Sequence, residues 1–66
     1  MDTYGDGQWI VYSDGVEYRY TTARKAKAFA NAVSRENGGK WLAIYERGAG
    51  VNVQQFASRN GRSYAV

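Results

Sequence analysis

Hydrophobic and polar positions alternate over two short runs near the start of the chain, Gln8-Trp9-Ile10-Val11-Tyr12-Ser13 and Val16-Glu17-Tyr18-Arg19-Tyr20-Thr21. Both are rich in β-branched and aromatic residues, which pack well on a pleated surface. Asp14-Gly15 lies between them and predicts a tight hairpin, because both central positions of a type I′ turn need positive φ. That register sets Trp9 against Tyr20, Val11 against Tyr18 and Ser13 against Val16 on one face. Ile10, Tyr12, Glu17 and Arg19 share the other.

The period then changes. Thr22 reads as an N-cap for a helix over Ala23 to Asn37, stopped by Gly38-Gly39. Ala26, Phe29, Ala30 and Val33 follow helical spacing and make one apolar stripe. Opposite it lie Arg24, Ala28, Asn31 and Arg35, with Lys27 on the flank. Alternation resumes at Lys40 to Arg47 and Val51 to Ala57, joined by Gly48-Ala49-Gly50. Asn60-Gly61 predicts a further hairpin into Ser63-Tyr64-Ala65-Val66. A turn at Gly48-Ala49 would place Ile44 opposite Val53 and Leu42 opposite Gln55. Trp41 would then face Phe56, and Tyr45 Asn52, on the reverse side, unless a bulge at the glycines moves these pairings.

The order ββαβββ defines an α+β fold: an antiparallel sheet of four to five strands with one α-helix packed on one face. Residues 1–66 form a single domain in this reading, with 1–7 a flexible lead-in. The covered face carries Trp9, Val11, Val16, Tyr18, Tyr20, Leu42, Ile44, Val51 and Val53, meeting Ala26, Phe29, Ala30 and Val33. The reverse face carries Ile10, Tyr12, Arg19, Trp41, Tyr45 and Phe56.

Size and composition narrow the function. A chain of 66 residues has only a small core to draw on. It contains no Cys and no His, so disulfides, thiolate ligands and Ser–His or Cys–His nucleophile pairs are all excluded. Gly48-Ala49-Gly50 leads into a strand rather than a helix, so it is a turn and not a phosphate-binding fingerprint. Asp2, Asp6 and Asp14 lack calcium-loop spacing. The expectation is a non-enzymatic protein with no cofactor and no metal site. The longest apolar run, Trp41-Leu42-Ala43-Ile44-Tyr45, is far short of a membrane span. The acidic, glycine-rich start is unlike a secretory leader, so a cytoplasmic location with no membrane partner is expected.

Charge is unevenly laid out. Residues 1–18 hold four acids (Asp2, Asp6, Asp14, Glu17) and no base, whereas the remainder holds all nine bases and two acids, Glu36 and Glu46. The overall charge of +3 therefore conceals an acidic start and a strongly basic remainder, which points to an anionic partner or to head-to-tail self-contact. Three features could meet an anion. Arg24, Lys25 and Lys27 crowd the helix start, where the macrodipole prefers negative charge. Arg59 and Arg62 flank the Asn60-Gly61 turn, and Arg35 lies on the outer helix face. A solvent-facing strand surface does not need Tyr12, Trp41, Tyr45 and Phe56 beside Arg19. Such a surface suits stacking of unpaired bases or apolar anchoring to a protein.

No diagnostic motif is present. On Gly7-Gln8-Trp9-Ile10-Val11, Thr22-Ala23-Arg24-Lys25-Ala26 and Trp41-Leu42-Ala43-Ile44-Tyr45, the chain resembles small phage-encoded proteins, including anti-CRISPR proteins that pack one helix on an antiparallel sheet. The likeness is architectural and covers most of the chain. It implies an inhibitor or adaptor that docks on a protein or ribonucleoprotein complex in the host cytoplasm, blocking nucleic-acid binding there. Direct DNA or RNA binding by the same basic, aromatic surface is the alternative. The protein would act as a monomer or homodimer.

Overall fold

The computed structural model describes residues Met1–Val66. Its elements in chain order are β1 (Asp2–Tyr4), β2 (Trp9–Ser13), β3 (Val16–Tyr20), α1 (Ala23–Glu36), β4 (Leu42–Gly48), β5 (Val51–Arg59) and β6 (Arg62–Ala65). The strands form one six-stranded sheet in the order β1-β3-β2-β4-β5-β6, antiparallel except for the β1–β3 pair. One helix packs on one face. The fold is α+β as expected, with one strand more than the alternation announces.

The extra strand lies in residues 1–7, expected as a flexible lead-in. Asp2, Thr3 and Tyr4 pair in parallel with Val16, Glu17 and Tyr18. The Tyr4 ring stacks on Tyr18 at 5.6 Å between centroids. From β1 the chain must pass around the end of β3 to enter β2, and Gly5 and Gly7 make that passage possible. A Cβ on Gly7 would collide with the Tyr20 carbonyl, and one on Gly5 with that of Arg19. Three residues are too few for a periodic signal, and the glycines around them read as a loop.

The β2–β3 hairpin has the predicted register, Trp9 opposite Tyr20 through Ser13 opposite Val16. Asp14 and Gly15 take φ of 52° and 75°, as a type I′ turn requires. Thr22 caps α1, its Oγ1 accepting from the Lys25 N–H at 3.2 Å. The helix ends at Glu36, with Asn37 as C-cap and the Gly39 N–H donating to the Ser34 carbonyl at 2.8 Å.

The β4–β5 hairpin departs from expectation. Its turn is Ala49-Gly50 rather than Gly48-Ala49, and the register shifts at Ile44/Tyr45, where Gln55 bulges out of the ladder. Ile44 therefore faces Phe56, and Leu42 faces Ser58. Without the bulge, alternation would turn the polar Gln55 toward the core and Phe56 away from it. The bulge exchanges them. Val51 and Val53 keep the covered side, opposite Gly48 and Glu46, but lie 59% and 52% exposed because the helix does not reach them.

The core centres on Val11, Ala26, Ala30 and Ile44, all fully buried, with Trp9, Tyr20, Phe29, Leu42 and Phe56 packed around it. Alanines at the contact let the helix approach the sheet closely. The buried helical positions are Ala26, Ala30 and Ser34, so the inward face is rotated from the expected stripe, toward Asn31 and Ser34 and away from Val33. Polar contacts explain the rotation. Asn31 Oδ1 accepts from the Ser58 and Ser63 hydroxyls. The Ser34 hydroxyl donates to the Lys40 carbonyl at 2.5 Å and accepts from the Asn60 N–H at 2.8 Å. No buried side-chain polar atom lacks a partner.

Ile10 is fully buried although its side chain lies on the face away from the helix, between its cross-strand neighbours Arg19 and Tyr45. Ile10→Ala is therefore expected to cost about 2–5 kcal/mol, while Val53→Ala, on the helix side but exposed, leaves stability nearly unchanged. Denaturant titration of the two variants checks this. Equal losses would overturn the register described for β5.

Candidate functional site

Alternation along β4, β5 and β6 fixes what the uncovered face presents. Ile44 and Phe56 point to the helix, so Ala43 and Ala57 point away, and Ala57 pairs with Tyr64. Arg59 pairs with Arg62 across the next turn, and both belong to the same side. Trp41, just before β4, joins them: its ring centroid lies 5.9 Å from that of Tyr64, and the Arg59 guanidinium sits 5.3 Å above its indole. Trp41 is 56% exposed and Tyr64 49%. Arg59, Asn60, Arg62 and Tyr64 line a shallow hollow beside them. Two exposed rings and two arginines thus share one corner of the sheet.

Three of these residues, Trp41, Arg59 and Arg62, are expected from the sequence, and the structure brings them together. Tyr64 is the addition. Its signal is present in the Asn60-Gly61 turn, since pairing Arg59 with Arg62 puts Tyr64 two positions along on the same side. Arg35 approaches the Asn60-Gly61 turn from the helix side and does not line the hollow. Its guanidinium lies against Gly61, where a Cβ would collide with it.

The remaining expected residues lie elsewhere. Phe56 faces the helix because of the Gln55 bulge, and the Lys27 ammonium lies 3.7 Å from its ring centroid. Arg24 and Lys25 are exposed at the start of α1, which has no acid in its first turn. They stand on the layer opposite Trp41, so one flat partner cannot touch both groups. The Arg19 Nε–H donates to the Gly7 carbonyl at 2.9 Å, latching the β1–β2 connection.

Tyr12 and Tyr45 occupy the middle of the uncovered face and pack edge to face at 5.8 Å. The Tyr12 hydroxyl donates to Glu17 Oε1 at 3.2 Å and accepts from Asn52 Nδ2 at 2.9 Å. Arg47 Nε–H completes the chain by donating to Asn52 Oδ1 at 2.8 Å. This network links β2, β3, β4 and β5, beside the Arg19 and Tyr45 that flank Ile10. Tyr12, Arg19 and Tyr45 are thus engaged within the fold, whereas the Trp41 corner remains free.

Electrostatics reinforce the contrast. The only acidic side chain between Asn37 and Val66 is Glu46, opposite Trp9 and Val53 on the helix side. The strand order converts the charge layout of the sequence into a gradient across the sheet. Asp2, Asp14 and Glu17 lie at the β1–β3 edge, and Arg59 and Arg62 at the β5–β6 edge. No cluster of three His, Cys, Asp or Glu side chains suited to a metal ion is formed. No helix is long and apolar enough to cross a membrane. Comparison with protein-family models gives no match, and comparisons with curated proteins and with solved structures give none either.

Burial raises the Tyr12 hydroxyl above its ordinary value of 10.0, helped by Glu17 and opposed by Arg47 and Asn52. Burial, with Tyr18 beside it, likewise raises Tyr20. Both folded-state values exceed the unfolded one, so the neutral phenols stabilise the fold fully below pH 10.0, and this is lost as pH rises through the elevated values. The denaturation midpoint should fall above that pH, and Tyr12→Phe should flatten the decline. An unchanged slope in Tyr12→Phe would remove Tyr12 as its cause.

Proposed function

We propose that this protein is a non-enzymatic binding module, an inhibitor or adaptor that docks on a macromolecular complex through the corner formed by Trp41, Arg59, Arg62 and Tyr64. One observation carries the reading: two large aromatic rings are held exposed beside two arginines on a sheet face that has no second layer. Trp, Tyr and Arg are the residues that most often dominate contact energies. The fold uses Trp9, Tyr18, Tyr20 and Phe56 against the helix and its Phe29, and Tyr12 and Tyr45 in the central network. Trp41 and Tyr64 are the two aromatics exposed at the basic edge. The architectural resemblance to anti-CRISPR proteins suggests a target complex that itself holds nucleic acid.

The basic helix start is a separate surface in this reading. Arg24→Glu with Lys25→Glu should leave docking intact, whereas Trp41→Ala with Arg59→Glu should abolish it without altering the circular dichroism spectrum. Affinity capture from cells in which the protein acts, run in parallel on both double variants, tests the assignment. Loss of the captured partner with the helix variant and retention with the corner variant would reverse it.

A further inference from the structure

We propose that the Trp41–Tyr64 corner binds single-stranded nucleic acid, with an unpaired base stacked on the exposed rings and the adjoining phosphates held by Arg59 and Arg62. This rests on the corner being the contact surface. It goes further by naming what the corner takes.

The corner has two parts of different character that meet at Tyr64 and where the Arg59 guanidinium sits 5.3 Å above the Trp41 indole. One is a pair of exposed rings, Trp41 and Tyr64, 5.9 Å apart between centroids. The other is a polar hollow lined by Arg59, Asn60, Arg62 and Tyr64. A nucleotide has the same two parts, a flat base joined to an anionic phosphate. Stacking on aromatic rings and phosphate contact by arginine are the two interactions that hold unpaired strands on open sheets.

A peptide of acidic residues alone fits less well. It would satisfy the arginines but carries no flat group to cover the rings. A duplex fits less well too, because its bases are already stacked and present only their edges. The turn that frames the hollow has a further cation behind it. The Arg35 guanidinium rests against the Gly61 backbone of the same turn, and the only acidic side chain from Asn37 onward lies on the other face. Asn60 is part of the frame as well: its N–H donates to the Ser34 hydroxyl, which fixes the turn against the helix. The turn is therefore held in place before any ligand arrives, so little ordering is needed on binding.

The test is fluorescence anisotropy with a labelled single-stranded oligonucleotide of about 12 nucleotides, within the length range such platforms occupy. A duplex of the same sequence and a polyglutamate peptide of equal charge serve as competitors. Binding should weaken steeply with salt, and both competitors should displace the strand poorly. Trp41→Ala and Tyr64→Ala should each weaken binding roughly tenfold. Arg59→Glu with Arg62→Glu should weaken it further and flatten the salt dependence by about 0.7 in log–log slope for each phosphate no longer neutralised. Arg24→Glu with Lys25→Glu should retain the stacking-dependent part of the affinity.

Circular dichroism and denaturation midpoints of the exposed-residue variants establish that each is folded. Absence of binding at low salt overturns the proposal, as does displacement by polyglutamate as effective as by the strand itself. Equal affinity of Trp41→Ala and the unaltered protein also overturns it. If the strand does not bind but partner capture still requires Trp41 and Arg59, nucleic acid is excluded while the docking role of the corner stands. If capture is also indifferent to these residues, both readings fall.

Discussion

Phe56 faces Ile44 only because Gln55 is bulged out of the β4–β5 ladder, and most of the molecule's two-sidedness follows from that one extra residue. Upstream of the bulge, odd-numbered residues of β5 point to the helix side. Downstream they point away. Phe56 and Ser58 are thereby turned inward, one to pack on the core and the other to meet Asn31. Ala57 and Arg59 are turned outward, and β6 inherits the same sense through its pairing with β5. A regular ladder would have placed Gln55 under the helix and dispersed the aromatic and basic residues that now gather at the corner.

The helix responds to this arrangement with two kinds of contact. Toward β2 and β4 it offers alanine and Phe29 to an apolar surface, where burial drives association without fixing an angle. Toward β5 and β6 it offers Asn31 and Ser34, whose hydrogen bonds to Ser58, Ser63, Asn60 and Lys40 are directional. The apolar half holds the helix down. The polar half sets its rotation and, through Asn60, ties the β5–β6 turn to the body of the protein. With only eight residues buried, specificity of this sort matters more than in a larger core.

Much of this is written in local chemistry that a sequence exposes directly. Asp14-Gly15 and Asn60-Gly61 demand positive φ and so locate two hairpins, and Thr22 caps the helix it precedes. Trp41 is conspicuous because a strand on a wet surface does not need it, and Arg59 and Arg62 because they flank the Asn60-Gly61 turn. Other features depend on contacts made at long range. Nothing in Gln54-Gln55 announces a bulge, which exists because Phe56 gains more by burial than Gln55 would. Asn31 looks solvent-facing until its serine partners, distant in sequence, are brought beside it. Tyr12 and Tyr45 resemble a vacant aromatic surface, yet their rings pack on each other and the Tyr12 hydroxyl is held by Glu17 and Asn52. Spacing reveals which side chains share a face. It does not reveal which are already taken.

The strand order has a practical corollary for anyone handling the protein. β1 and β6 are the two edges of the sheet, so Met1 and Val66 sit on opposite flanks of the molecule. Val66 follows Tyr64 by two residues and is anchored by its N–H to the Gln55 carbonyl. A tag, dye or surface linker attached there would overshadow the aromatic corner. Attached at Met1, beyond the acidic edge, it would leave that corner facing the solution.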